Sequence, residues 1–179
     1  MHRSLRLILA ALLVVAAVAA CTKEDDAAEE ESFSFIIYPG ARYLQPLTET
    51  TKQAHKTMKP NMDPPPLAIY DTDATVEDVA KFYAKSYGYK EVAPDATNNL
   101  SAARPPAYYR GGDLGADTRA IEPLLQKMQV PADLSKAVGT YRAAEIEPRL
   151  NRPRVTIQRP YFDVTTSQVV DRTLILMSR

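Results

Sequence analysis

Glu145 and Glu147 lie two residues apart in the chain. On a strand they share one face, with Cβ atoms about 7 Å apart. Paired carboxylates near that spacing are the equipment of glycoside hydrolysis. Arg142, Arg149, Arg152 and Arg154 crowd the same stretch, and a solvated, salt-bridged edge accounts for the set more simply. Nucleophilic catalysis by Ser or Cys needs a base beside the nucleophile. Past the N-terminal leader the one imidazole is His55, in the polar run Lys52-Gln53-Ala54-His55-Lys56, which reads as solvated surface. Ser135-Lys136 and Lys85-Ser86 are chain neighbours, and neighbours in a helix do not face one another, so neither forms a dyad. No residue is assigned a catalytic role.

Zinc sites want several His or Cys ligands, and one His with one Cys does not supply them. Asp71, Asp73 and Glu77 alternate like ligands of a calcium loop, but the Gly and the late bidentate Glu of an EF-hand are missing. Helix capping explains the same acids. Arg110-Gly111-Gly112-Asp113-Leu114-Gly115 could present backbone N–H groups to an anion, yet it has neither Walker nor dinucleotide spacing, and it reads as a flexible loop. No metal and no cofactor is assigned. The aromatic composition is more telling, with ten Tyr and no Trp. Tyr108-Tyr109-Arg110 joins aromatic faces to a guanidinium and is the candidate ligand-binding trio, suited to stacking on a sugar ring or peptide. A structural role for both rings competes with that reading.

The N-terminus carries an address. His2, Arg3 and Arg6 precede an unbroken apolar run of 14 residues, 7–20. As a helix that run covers about 21 Å, short of a hydrocarbon core of about 30 Å, and it fits the h-region of a signal peptide. It ends Val18-Ala19-Ala20-Cys21, and Cys21 is the one cysteine in the chain. This ending resembles the lipobox of bacterial lipoproteins. The resemblance implies cleavage before Cys21, lipidation of its sulfur, and stable anchoring through several acyl chains. It also leaves no thiol for a disulfide. Thr22, where Asp would favour retention at the inner membrane, leans by the same resemblance toward the outer membrane.

Residues 22–32 hold six acids, one Lys and nothing to bury. They should form a solvated tether reaching on the order of 35–40 Å. The chain as a whole has 22 basic and 22 acidic residues; without leader and tether, residues 33–179 keep 19 basic and 16 acidic. That excess is too mild to argue for nucleic acid.

The remaining 147 residues are enough for one domain with a real core. Residues 34–38 suggest a short strand. Tyr38-Pro39-Gly40-Ala41 is a type II turn by mechanism, with Pro presetting φ and Gly supplying a positive one. The prolines at 60 and 64–66 exclude helix and central strand nearby. Residues 67–70 suggest a strand. The clearest helix opens at Thr75 with acids in its first turn, repeats Val76, Val79, Ala80, Tyr83 and Tyr87 at helical spacing, and stops at Gly88. Strand 89–92 and an irregular stretch 98–115 follow. Helices are expected at 117–128 and 132–138, and strands at 140–147, 154–159 and 169–177, the last two joined by a hairpin through 161–168. The run Leu174–Met177 is apolar on both faces, as in a central strand. The expected class is α+β, an antiparallel sheet with two or three helices on one face.

The order of lipobox, polar tether, Tyr-Pro-Gly-Ala, and a helix reading Thr75-Val76-Glu77-Asp78-Val79 with Phe82-Tyr83 and Gly88 resembles small envelope lipoproteins of bacteria. The resemblance spans roughly residues 18–92 and supplies no catalytic residues. It implies a cell-envelope protein held to the membrane by lipid on Cys21, its domain in the periplasm, meeting an envelope protein or glycan and no nucleic acid. The expected function is a non-enzymatic binding or assembly module. The alternative is a hydrolase or carbohydrate-active enzyme working through Glu145 and Glu147. The Arg-rich segment 149–159 could also touch anionic headgroups near the anchor.

Overall fold

The computed structural model describes residues 35–94, 105–148 and 152–179. The leader, Cys21, the tether and Arg149 lie outside the described residues. The strands are β1 Arg42–Tyr43, β2 Leu67–Thr72, β3 Ala107–Asp113, β4 Thr140–Ile146, β5 Arg154–Arg159, β6 Tyr161–Asp163, β7 Gln168–Val170 and β8 Thr173–Ser178. The helices are α1 Gln45–Met58, α2 Val76–Ser86 and α3 Leu114–Lys127, with a 3₁₀ turn at Leu134–Lys136. Six strands form one sheet in the order β1-β2-β8-β5-β4-β3, with every neighbour antiparallel, and β6 and β7 form a separate ribbon. The class is α+β, as expected.

Strand alternation divides the sheet into two faces. The first face carries Ala144 and Ile146, Val155 and Ile157, Ile175 and Met177, all fully buried. Helix α2 covers it with Val76, Val79, Ala80, Tyr83 and Ala84. Each Val, Ile or Met buried this way contributes about 1.5–3 kcal/mol. Tyr83 reaches through this layer. Its hydroxyl donates to the Ile36 carbonyl at 2.9 Å and lies 3.8 Å from the Met177 sulfur, which ties residues 35–38 to the core. The ends of α2 obey local rules. Thr75 Oγ1 accepts from the Asp78 N–H at 3.1 Å, and Gly88, at φ +77°, sits between two bonds that close the last turn, Gly88 N–H to Lys85 O and Tyr89 N–H to Ala84 O.

The second face is lined by Leu67 and Ile69, Leu174 and Leu176, Thr156 and Gln158, Tyr141, Ala143 and Glu145, and Tyr108 and Arg110. Helices α1 and α3 and the β6–β7 ribbon cover it, through Leu47 of α1, Leu114, Ile121 and Leu125 of α3, and Phe162 and Val164. The helices therefore divide between two faces, where one covered face was expected. The physical reason is β8. With Leu174, Ile175, Leu176 and Met177 buried or nearly so on both sides, each face needs a cover.

Several local expectations change. Residues 35–38 belong to no strand, and β1 begins after the Pro39-Gly40 turn, whose Ala41 N–H donates to Tyr38 O at 3.0 Å with Gly40 at φ +75°. Residues 89–92 form no strand; Ala93 alone bridges Tyr108. The stretch read as irregular contains β3. Arg110-Gly111-Gly112-Asp113 is the end of that strand, and Asp113 caps α3 by accepting from Ala116 N–H at 2.7 Å, so this segment is no flexible loop. Residues 132–138 tighten to a single 3₁₀ turn.

Gly112 is the glycine in β3 that packing demands. A Cβ there would come within 2.6 Å of Tyr141 Cε1 and closer still to Cζ and the hydroxyl. At Gly111 an added Cβ would meet only the Tyr141 carbonyl oxygen, at 3.5 Å. Gly112→Ala should therefore destabilise the fold by about 1–3 kcal/mol in urea titrations, while Gly111→Ala stays within about 0.5 kcal/mol of wild type. Equal effects of the two would refute this account of the β3–β4 packing.

Candidate functional site

Two buried carboxylates stand on the second face, in adjacent rows of the sheet. Glu145 of β4 is 6% exposed, pairs with Tyr108 of β3 on one side and Thr156 of β5 on the other, and accepts from Thr156 Oγ1 at 2.7 Å. Arg110, diagonal to it, donates from Nε at 2.9 Å to Oε1; Nη2 lies 2.9 Å from the same oxygen without hydrogen-bond geometry. Arg110 Nη1 also donates to the Tyr141 hydroxyl at 2.5 Å, and that hydroxyl donates to Asp117 Oδ2 of α3. Burial raises the pKa of Glu145, against the pull of Arg110 and Thr156. Burial likewise pushes the Tyr141 hydroxyl up to about 12; Arg110 opposes the shift and Asp117 adds to it.

Asp71 of β2 is fully buried. Arg42, its register partner on β1, donates from Nε at 3.1 Å and Nη2 at 2.8 Å. Arg172 Nε donates at 3.0 Å and the Tyr161 hydroxyl at 3.1 Å. Arg172 also pairs with Asp73, and Glu77 with Arg142 at 3.2 Å. The acids once weighed as calcium ligands are thus partners of arginines. Among the described residues no group of three or more His, Cys, Asp or Glu is placed to hold a metal ion.

Between these two ionic centres lies a cleft of about 90 Å³, walled by Leu47 and Thr51 of α1, Leu114, Asp117, Thr118 and Ile121 of α3, Ile69, Gln158, Leu174 and Leu176 of the sheet, and Tyr161, Phe162 and Val164 of the ribbon. Most of the wall is apolar. Thr51 and Thr118 turn their hydroxyls onto their own helices, donating to Leu47 O at 2.8 Å and Leu114 O at 2.6 Å. Gln158 Nε2 donates to Pro160 O at 3.2 Å.

The sequence-named residues take separate places. Tyr108 and Arg110 point to the second face and Tyr109 to the first, where the Arg142 guanidinium lies 4.6 Å from its ring centroid. Both rings are buried, so the trio does not share one surface. Glu147 lies beyond β4 and pairs with Arg154 at 2.5 Å, whereas Glu145 is shut between strands and does not line the cleft. Arg159 is held by Asp171 at 2.8 Å. His55 was expected on a solvated surface and is 4% exposed, because residues 45–58 are helical and the stripe Thr48, Thr51, Ala54, His55 faces inward. Its Nδ1 has no hydrogen-bond partner among the described residues, and burial, with Lys59 second, lowers its pKa. The cleft residues Asp117 and Gln158 escaped notice. Asp117 passed for a helix start and Gln158 for part of the strand 154–159. The available signal was Asp117 inside the apolar spacing Leu114, Ile121, Leu125.

No protein-family model matches the chain, and neither a characterised protein nor a solved structure matches it.

Arg110→Met should strand Glu145 and cost about 3–5 kcal/mol at neutral pH. The folded pKa of Glu145 is raised, so the stability this group contributes is present below the ordinary carboxyl range and lost as pH rises through the raised value. Without Arg110 that value climbs further. The deficit of Arg110→Met in urea unfolding should therefore shrink as pH falls toward the ordinary carboxyl range. A deficit independent of pH would contradict the assignment.

Proposed function

We propose that the protein is a lipid-anchored module of the cell envelope that works by binding or assembly and not by catalysis. The lipobox at Cys21 and the acidic tether support the address. The observation that carries the rest is the composition of the cleft wall. Among the described residues it holds one carboxylate, Asp117, and no histidine, cysteine or second acid. General acid–base chemistry at a glycosidic bond needs two carboxyl groups on opposite sides of the scissile bond, and the acids that could serve are engaged by arginines away from the cleft. What the wall offers is an apolar surface with a few polar atoms, the usual composition of a small-ligand site. No helix among the described residues is long and apolar enough to cross a membrane, so attachment falls to the lipid in this reading.

The test uses the full chain in a bacterial host grown with labelled palmitate. Wild type should take the label and sediment with the outer membrane. Cys21→Ser should lose the label. Label retained by Cys21→Ser would overturn the anchor. Crosslinking in intact cells should give discrete adducts with an envelope component. Glycan hydrolysis by the purified chain that disappears in Glu145→Gln would overturn the binding role.

A further inference from the structure

Asp117 differs from the other carboxylates built into the fold. Asp71 and Glu145 each lie against arginine. Asp117 lines the cleft and receives one hydrogen bond, from the neutral Tyr141 hydroxyl. The ion pairs of the described residues engage Asp71, Asp73, Asp133, Asp171, Glu49, Glu77, Glu145 and Glu147, and none engages Asp117. Arg110 reaches Asp117 only through that hydroxyl, so Asp117 has no direct ionic partner and keeps acceptor capacity toward the cleft.

Gln158 makes a second, independent observation. It is 8% exposed and lines the same cleft. Its Nε2 donates to Pro160 O, which sets the amide orientation and leaves Oε1 without a partner among the described residues. A carboxylate and an amide oxygen are acceptors only. The occupant must therefore donate, and a cation donates best to an ionised acceptor. The walls Ile69, Leu114, Ile121, Leu174, Leu176 and Val164 ask for hydrocarbon. At about 90 Å³ the cleft is smaller than the roughly 150 Å³ apolar cavity that accepts benzene, so the buried body is a short alkyl group and not a long chain.

We infer that the cleft binds a primary ammonium carried on a short branched hydrocarbon, the ammonium donating to Asp117 and to Gln158 Oε1 and the hydrocarbon lying against the leucine and isoleucine walls. This ligand class rests on the binding role proposed above and deepens it. The chemistry is shared by a free aliphatic amine and by the N-terminus of a peptide that begins with an aliphatic residue.

The experiment follows the methyl resonances of Ile69, Ile121, Leu174 and Leu176 in the full lipidated chain in nanodiscs. Isoamylamine, isoamyl alcohol, isovalerate and leucinamide are titrated, with empty nanodiscs as control. The amine should shift these methyls saturably, the alcohol should bind roughly tenfold more weakly or worse, and isovalerate should not bind. Asp117→Asn should weaken the amine roughly tenfold and leave the alcohol unchanged. Thr51→Met, which fills the cleft without touching the charge, should weaken both, and it carries the test if Asp117→Asn does not fold. Leucinamide binding above isoamylamine points to a peptide N-terminus and the reverse to a free amine; both uphold the proposal. It is overturned by alcohol binding as tight as the amine, by an amine affinity that Asp117→Asn leaves unchanged in folded protein, or by no saturable shift. Those failures touch the ligand alone. Deamination of the amine during the titration would instead overturn the binding role.

Discussion

Strand β8 lies between β2 and β5, and Leu174, Ile175, Leu176 and Met177 leave it no wet side. A strand that is apolar on both faces cannot be satisfied by one layer of helix, because alternate side chains point to opposite sides. Covering Ile175 and Met177 takes α2, whose Val79, Ala80 and Tyr83 are fully buried. Covering Leu174 and Leu176 takes α1, α3 and the β6–β7 ribbon together. The two covers differ in kind. The first is a single helix with aliphatic and aromatic contacts along its length. The second is assembled from three separate pieces that meet over the sheet, and a cleft remains where they meet.

The second face also carries the charges. Ionised groups taken out of water cost several kcal/mol each after relaxation, and close partners offset that cost only with good geometry. Asp71 is met by two arginines and a tyrosine hydroxyl, and Glu145 by an arginine and a threonine. These bonds join segments far apart in the chain: β1, β2 and Arg172 just before β8 around Asp71, and β3, β4 and β5 around Glu145. The Tyr161 hydroxyl links the ribbon to Asp71, and the Tyr141 hydroxyl links α3 to the Arg110 cluster. The pieces that cover the second face are thus held at their ends by polar bonds, while apolar contact fills the middle. Gly112 belongs to this scheme, since a side chain there would drive the Tyr141 ring out of reach of Asp117.

The parts of the fold that were legible in the sequence were those where one rule dominates. Helix α2 announced itself through its cap, its apolar spacing and Gly88, and the Pro39-Gly40 turn through the φ values those residues impose. The alternation of Val155 and Ile157 with Thr156 and Gln158 placed β5, while the expected strand 169–177 divides into the ribbon strand β7 and the two-faced β8. What stayed hidden was the second cover. Helix α1 buries Thr48, Thr51, Ala54 and His55 in place of large aliphatics, so its period is faint and His55 looked wet. Thr48 has a backbone reason to be there. Its Oγ1 accepts from the Ile69 N–H at 3.1 Å on β2, a bond no Leu could make. Strand β3 was masked by the prolines before it and the glycines within it. Residues 161–168 read as the loop of a hairpin; that Tyr161–Asp163 and Gln168–Val170 pair as a ribbon of their own and cover a cleft follows from tertiary packing.

The composition of the cleft wall does not follow from stability. Leu or Ile at 51 and 118 would fill space that Thr leaves open, and burying such a side chain contributes about 1.5–3 kcal/mol. Asp117 sits within the apolar spacing of α3, where an aliphatic residue would remove a carboxylate that makes no direct ion pair. Gln158 keeps an acceptor unused beside Leu174. On the opposite face the positions under α2, Ala144, Ile146, Val155, Ile157, Ile175 and Met177, are apolar and fully buried. Local rules broken together at one place, and kept elsewhere in the same sheet, are the pattern of a site held open for a ligand. A polar network serving only to fix the register of strands would look like Asp71 and Glu145, where every charge has met its partner. Asp117 has met only the Tyr141 hydroxyl, and Gln158 Oε1 meets no donor among the described residues; the partner their chemistry asks for is a further donor.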